Sequence, residues 1–229
     1  MRAWTYTEML TKIQNDLDLQ DEIFISPEEF LGYFNEAIDN AEAQIHALYE
    51  DYFLTSASIA LVTGTSTYSM PSDIYANKVR SMYYVNGQTK YEIKRWRRPL
   101  SDIPYVDTSD DYMYLPINSS ASGYQFKFLP AAQETSSSNV TIWYIRNAKV
   151  ITTGTDVCDI PEFINYILQY VKMRCYEKEG HVNTIKAIED TEKEKMLMIQ
   201  TLTNMTDDED TEIRKDFSFY NDFDTDWIT

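Results

Sequence analysis

The strongest constraint on the fold is the stretch Ser26–Phe53, SPEEFLGYFNEAIDNAEAQIHALYEDYF, whose spacing predicts one long amphipathic helix. Ser26 stands where a side-chain oxygen can accept from the orphan amides of a first turn. Pro27 has the pre-set φ of a first helical position, and Glu29 completes a capping box at the positive end of the helix dipole. Phe30, Leu31, Phe34, Ala37, Ile38, Ala41, Ile45, Leu48 and Tyr52 recur at the spacing of one helical face, while Glu36, Asp39, Asn40, Glu42 and Glu50 take the other. At 1.5 Å per residue such a helix extends about 40 Å, more than a small domain needs for its own core. Part of the stripe, with Phe34, Ile38 and Ile45, is therefore expected at a contact between subunits.

The rest of the chain arranges itself around that helix. Thr5 and Glu8 form a second capping-box pattern ahead of Tyr6, Met9, Leu10, Ile13 and Leu17, a short helix ending near Asp18. After Phe53 the period drops to two. Ala57–Leu61, then Gly64, then Thr67–Met70 read as strand, turn, strand. Val79–Val85 and Thr89–Lys94 flank Asn86-Gly87, a hairpin signal, and Tyr112–Ile117 pairs naturally with Tyr124–Leu129. Val140–Arg146 is β-rich on both faces and belongs in the middle of a sheet. Helical spacing returns with Phe163, Ile164, Ile167, Leu168, Val171 and Cys175, is punctuated at Gly180, and resumes through Ile185, Ile188, Met196, Leu197, Ile199 and Leu202.

The expected architecture is thus α+β: a helical bundle of the N-terminal long helix and the C-terminal helices, with an inserted antiparallel β domain and an extended C-terminal arm. Its divisions fall at 1–53, 54–158, 159–204 and 205–229. The arm carries nine acidic residues against Arg214 and Lys215, too polar for a core of its own. It also holds Phe217, Phe219, Tyr220, Phe223, Trp227 and Ile228, which purely solvating tails lack, and these read as anchors that order on a partner.

A formal net charge of −17 argues against a phosphate-binding surface, because nucleic-acid binders draw affinity from clustered cations. An acidic body suits a wall beside which DNA slides without sticking. The one local reversal, Lys94, Arg95, Arg97 and Arg98, either meets an acidic neighbour such as the next copy of the chain or stays solvated, and the sequence leaves both open. Cys158 and Cys175 lack metal-ligand spacing and read as reduced, partly buried thiols. His46 and His181 sit in or beside helices as packing or capping residues, with no nucleophile paired to either. DDED at Asp207–Asp210 lacks the glycine turn of a calcium loop and reads as a solvated charge run. No phosphate loop, dinucleotide fingerprint or hydrolase motif occurs, so no catalytic residue, cofactor or metal is expected, and no window reaches membrane-span length.

Gly64-Thr65-Ser66-Thr67-Tyr68-Ser69-Met70-Pro71-Ser72-Asp73-Ile74 is similar to the strand-and-turn of head-to-tail adaptor proteins of short-tailed bacteriophages, including the tail tubular A type. Tyr124–Pro130 and Val140–Arg146 resemble that family's proline-ended hairpin and aromatic strand, and ISPEEFLGYFNEAIDNAEAQI resembles its first long helix. The resemblance covers most of Thr5–Leu202. It implies a structural protein of the virion neck, made in the host cytoplasm. Such a protein forms a ring, a dodecamer, beneath the portal protein and meets a tail nozzle or tail tube protein on the other side. DNA passes through the channel without specific binding, and no membrane is involved. On this reading the arm's aromatics bind the portal, and Phe34, Ile38, Ile45, Lys94, Arg95, Arg97 and Arg98 lie at the subunit interface. An alternative expectation is a soluble acidic binding protein that mimics nucleic acid for a basic partner.

Overall fold

The computed structural model describes residues 2–18, 24–86, 88–106, 111–119, 123–133 and 135–207. Helix α1 (Tyr6–Leu17) opens on Thr5, whose side chain accepts from the Glu8 amide while Glu8 reaches back to the Thr5 amide. It closes at Asp18 in the left-handed region, φ 55. Helix α2 (Pro27–Leu48) repeats the same box with Ser26 and Glu29. Two further helices, α3 (Ile164–Glu179) and α4 (Thr184–Asp207), are separated by Gly180 at φ 65, a conformation glycine adopts without a Cβ penalty.

Eight strands lie between α2 and α3: β1 (Leu54–Leu61), β2 (Thr67–Ser69), β3 (Ile74–Asn86), β4 (Thr89–Glu92), β5 (Lys94–Arg95), β6 (Met113–Ser119), β7 (Gly123–Leu129) and β8 (Ser136–Arg146). They form two sheets of four, ordered β1-β8-β3-β4 and β2-β7-β6-β5. β8 is flanked by β1 and β3, as its two apolar faces require. β3 and β4 pair antiparallel with Asn86 opposite Thr89. β1 and β2 belong to different sheets, and the chain crosses between them at Gly64, φ 78, whose amide donates to the Ala132 carbonyl. Alternate residues then meet face to face. Met82, Tyr84, Val140, Ile142 and Tyr144 of the first sheet pack on Tyr114, Phe126 and Phe128 of the second.

The helical core joins Met9 and Ile13 of α1, Phe30 to Ile45 of α2, Ile164 to Cys175 of α3 and Met198 and Leu202 of α4, and is capped toward the sheets by Phe53 and Ile145. The loop 147–160 is bound to it by specific polar contacts. Asn35 donates to the Ile151 carbonyl at 3.0 Å and accepts its amide at 2.9 Å, and Glu42 accepts the Ala148 amide at 2.9 Å. Cys158 and Cys175 are buried free thiols, raised by desolvation to about 11 and about 12.

The expected architecture is corrected in three respects. The helix at the N-terminus is the short, 12-residue α1 announced by Thr5 and Glu8, so the long helix is second in the chain rather than N-terminal, and it ends at Leu48 rather than Phe53. Tyr49 leaves the helical region and Glu50–Phe53 form a tight 3-10 turn. This turn drops the Phe53 ring into the core and aims Glu50 and Asp51 at Lys78 and Arg80. The β region is two sheets around one shared core, because one sheet alone leaves its inward apolar row uncovered, and it is antiparallel except for the β5–β6 pair. Of the arm, Met205–Asp207 end α4, and the remainder lies outside the described residues.

Candidate assembly surfaces

Part of the acidity of the body is neutralised by ion pairs between its helices. Asp16 meets Lys172 at 2.5 Å, Glu29 meets Lys178 at 2.6 Å, and Glu36 meets Arg174 at 3.2 Å, tying α1 and α2 to α3. Lys172 holds the Asp16 carboxyl below its ordinary range, and Lys178 does the same for Glu29. Asp39 moves the other way, raised by burial and by its neighbours Glu42 and Glu36. Arg146 grips Asp159 where β8 meets the helices. His46 is buried, stacked on Tyr75 at 3.6 Å between ring centres, with Glu42 at 3.1 Å from its Nε2. His181 stacks on Tyr176 at the α3–α4 corner.

A cationic groove forms where the two sheets face each other at β3, β5 and β6. β3 carries a bulge: its pairing with β8 jumps from Ile74↔Arg146 to Val79↔Tyr144, and Ala76 and Asn77 sit at φ 45 and φ 60. Two successive non-glycine residues in the left-handed region cost roughly 1–2 kcal/mol each, strain of the kind that marks functional segments. The bulge presents Lys78 and Arg80 to Glu50, and the pairing with Lys78 chiefly lowers the Glu50 carboxyl.

Across the groove, Ile93 donates its amide to the Met82 carbonyl and Trp96 to that of Tyr114, both side chains being buried. Their intervening and following neighbours Lys94, Arg95, Arg97 and Arg98 are thereby turned outward and exposed. Arg98 lies 5.7 Å from the Trp96 ring centre. Among the described residues none of these four cations has an ion-pair partner. Val79, Arg80, Lys94, Arg95, Arg97 and Tyr114 line a cavity of about 510 Å³, with Glu92 as its one carboxylate. Asn77 Oδ1, in the adjoining cavity, and Trp96 Nε1 are buried without a hydrogen-bond partner among the described residues.

The second surface is the outer side of α4. The helix has two apolar faces. One, with Ala187, Thr191, Met198 and Leu202, is buried against the rest of the helical layer, Thr191 Oγ1 reaching the Gln169 carbonyl of α3. The other leaves Ile185 at 72 %, Met196 at 63 %, Leu197 at 55 % and Ile188 at 41 % exposed, around a shallow apolar depression. At 100° per residue Ile185, Ile188, Glu192, Met196 and Ile199 fall on one stripe, about 20 Å long. Glu192 divides the strip into two apolar segments, Ile185 with Ile188 and Met196 with Ile199.

Phe34, Ile38 and Ile45, expected at a subunit contact, are instead 0 %, 2 % and 0 % exposed within the chain's own helical core. The correction has a simple cause: α1, α3 and α4 together cover the length that a single helix stripe left unaccounted for. Lys94, Arg95, Arg97 and Arg98 stand on the surface and are available for contact. Phe217, Phe219, Tyr220, Phe223, Trp227 and Ile228 lie outside the described residues. The outer face of α4 was hidden in the sequence, because its residues and those of the buried face read as one continuing helical pattern. Asn35 and Glu42 were likewise unreadable as anchors of loop 147–160, since on α2 they resemble ordinary solvent-facing polar positions.

No helix among the described residues is long and apolar enough to cross a membrane, and none of their His, Cys, Asp and Glu side chains form a metal-holding group of three. Among curated proteins none matches the chain. The model of the family described as SU10 adaptor protein matches it over residues 4–215, both sheets and all four helices included.

Proposed function

The chain belongs to the SU10 adaptor protein family, and with that phage head-tail adaptor family as premise we propose that it is a ring subunit of the virion neck, joining portal to tail. The role is structural, an assembly role rather than a catalytic one. The observation that carries the ring is the largely uncovered stripe of α4 with Ile185, Ile188, Met196 and the half-buried Ile199, which becomes the seam between neighbouring copies. Glu192 lies mid-stripe, so a two-fold pairing of α4 with itself would set like charges face to face. A head-to-tail contact avoids this and is the kind that closes into rings. A strip of this length covers a few hundred Å² at most, well below the roughly 800 Å² per partner of a stable isolated complex. The copies therefore stay apart in solution and assemble only on a template.

That template is the portal, whose symmetry sets the copy number, a dodecamer. The arm docks on it through Phe217, Phe219, Tyr220, Phe223, Trp227 and Ile228, and the opposite side meets a tail nozzle or tail tube protein. With a net charge of −17, the ring forms a passage along which DNA moves without adhering. Co-sedimentation with the portal tests this reading. The full chain is expected to sediment in ring stoichiometry and a chain ending at Asp207 to stay behind. Equal sedimentation of both would remove the arm from the docking surface.

A further inference from the structure

We propose that the groove between β3 and β5–β6 is a carboxylate-binding site, and that its occupant is the acidic start of the arm, Asp208–Glu212, of the adjacent copy. This rests on the ring reading above and names the partner segment of one of its contacts. Three observations carry it. Lys94, Arg95 and Arg97 line or border a cavity of about 510 Å³ and have no ion-pair partner among the described residues, in a chain of net charge −17 where most other body cations are paired. In such a chain, a cluster of unspent cations is a place for an anion supplied from elsewhere. Trp96, between Arg95 and Arg97 in sequence, has its Nε1, a donor and nothing else, buried without an acceptor among the described residues. The strand segment leading into the groove is built at a cost, since the Ala76–Asn77 bulge, in the adjoining cavity, holds two non-glycine residues at positive φ.

The arm has the complementary chemistry. Asp208, Glu209, Asp210 and Glu212 precede its first cations, Arg214 and Lys215, and its aromatic residues follow. The run 208–212 holds no aromatic residue, whereas Asp216, Asp222, Asp224 and Asp226 lie next to or among the aromatics, so only the first run is acidic without aromatics. Arginine guanidinium groups take carboxylates in bidentate geometry, which gives the contact direction as well as charge.

Geometry favours the neighbour over the arm's own body. The arm issues from the end of α4, the helix whose outer face is the proposed seam, so a copy seated on that face lies directly in the arm's path. Asp208–Glu212 are the first five residues after Asp207 and extend at most about 17 Å beyond it, so they meet only a body that lies close to the end of α4. Acidic strap and basic groove then make a second head-to-tail pair of unlike surfaces, which ring closure requires.

The test is zero-length carbodiimide cross-linking of the full chain bound to the portal, which joins an amine to a carboxylate only when the two are in contact. An equal mixture of unlabelled and ¹⁵N-labelled chains separates links between copies from links within one. Expected are a ladder of oligomers and mixed-isotope peptides joining Lys94 to Asp208–Glu212, both reduced at least tenfold by Arg95→Glu with Arg97→Glu. Adding Asp208→Lys and Asp210→Lys to that variant is expected to restore ring yield in 0.5 M-salt-sensitive form, which a merely misfolded variant would not do. Electron microscopy of the same sample keeps the two readings apart. No ring beneath the portal refutes the ring, whereas rings without the ladder refute the strap. Linked peptides of one isotope only would place the arm on its own body and overturn the neighbour assignment. Loss of the link on adding a duplex oligonucleotide, with no loss in salt alone, would make the groove a nucleic-acid contact and overturn it as well.

Discussion

Met196→Glu separates a surface held for a neighbour from a surface held for the fold. Met196 is 63 % exposed, so the isolated chain has already gained only a minor part of its burial. Full burial of such a side chain is worth about 1.5–3 kcal/mol, which leaves about 1–2 kcal/mol to be gained at the seam. Glutamate keeps a similar stem and places its charge in water, so the loss to the fold stays below about 1 kcal/mol. In the assembled ring the same carboxylate is enclosed against an apolar surface, and its desolvation adds several kcal/mol per contact. Together these exceed about 3 kcal/mol, or roughly a hundredfold in affinity for each seam. Urea unfolding measures the first quantity and the number of chains bound per portal measures the second. A near-normal midpoint with sub-stoichiometric, broken rings is expected. Complete rings from the variant would refute the assignment of the seam to α4, and a stability loss above about 3 kcal/mol would show the residue to be core.

Three further outcomes follow from the packing. Phe34→Ala, at a fully buried position of α2, is expected to lose about 3–5 kcal/mol in urea unfolding, the reverse of the Met196 result, and a loss under 1 kcal/mol would return Phe34 to the surface. Asn35→Ala removes both hydrogen bonds to Ile151 and is expected to cost about 1–2 kcal/mol and to speed amide exchange in loop 147–160 ahead of global unfolding, whereas unchanged exchange would mean that the loop is held elsewhere. Tyr144, Tyr166 and Tyr170 are raised from 10.0 to about 12, chiefly by burial. The unfolded chain therefore releases these protons first, so stability is intact below pH 10 and falls as pH climbs toward 12. Absorbance of tyrosinate is expected to show a late-titrating class coincident with unfolding, and a single titration near pH 10 would refute it.

The parts of the fold legible in the sequence were those fixed by neighbouring residues. Thr5 with Glu8 and Ser26 with Glu29 announce helix starts because both halves of each capping box lie within one turn. The apolar faces of Val140–Arg146 announce a central strand for the same local reason. What escaped is set by distant partners. The helix predicted to Phe53 breaks after Leu48 because Lys78 and Arg80, about thirty residues on, claim Glu50 and Asp51. The β3 bulge falls at Ala76–Asn77, where no glycine marks it. On α4, Met198 and Met196 are two residues apart and equally apolar, and only the folded helical layer decides that one is 2 % exposed and the other 63 %. Of the assembly surfaces, the cation cluster was visible as a reversal of charge, while the α4 seam required knowing which apolar face the chain covers for itself.

The most direct measurement is an image: the full chain mixed with its portal and viewed by electron microscopy, with particles averaged along and across the portal axis. An added ring of the portal's own symmetry is expected beneath it, α4 facing the adjacent copy. Portals with no added density, or with isolated copies scattered around the rim, would contradict it.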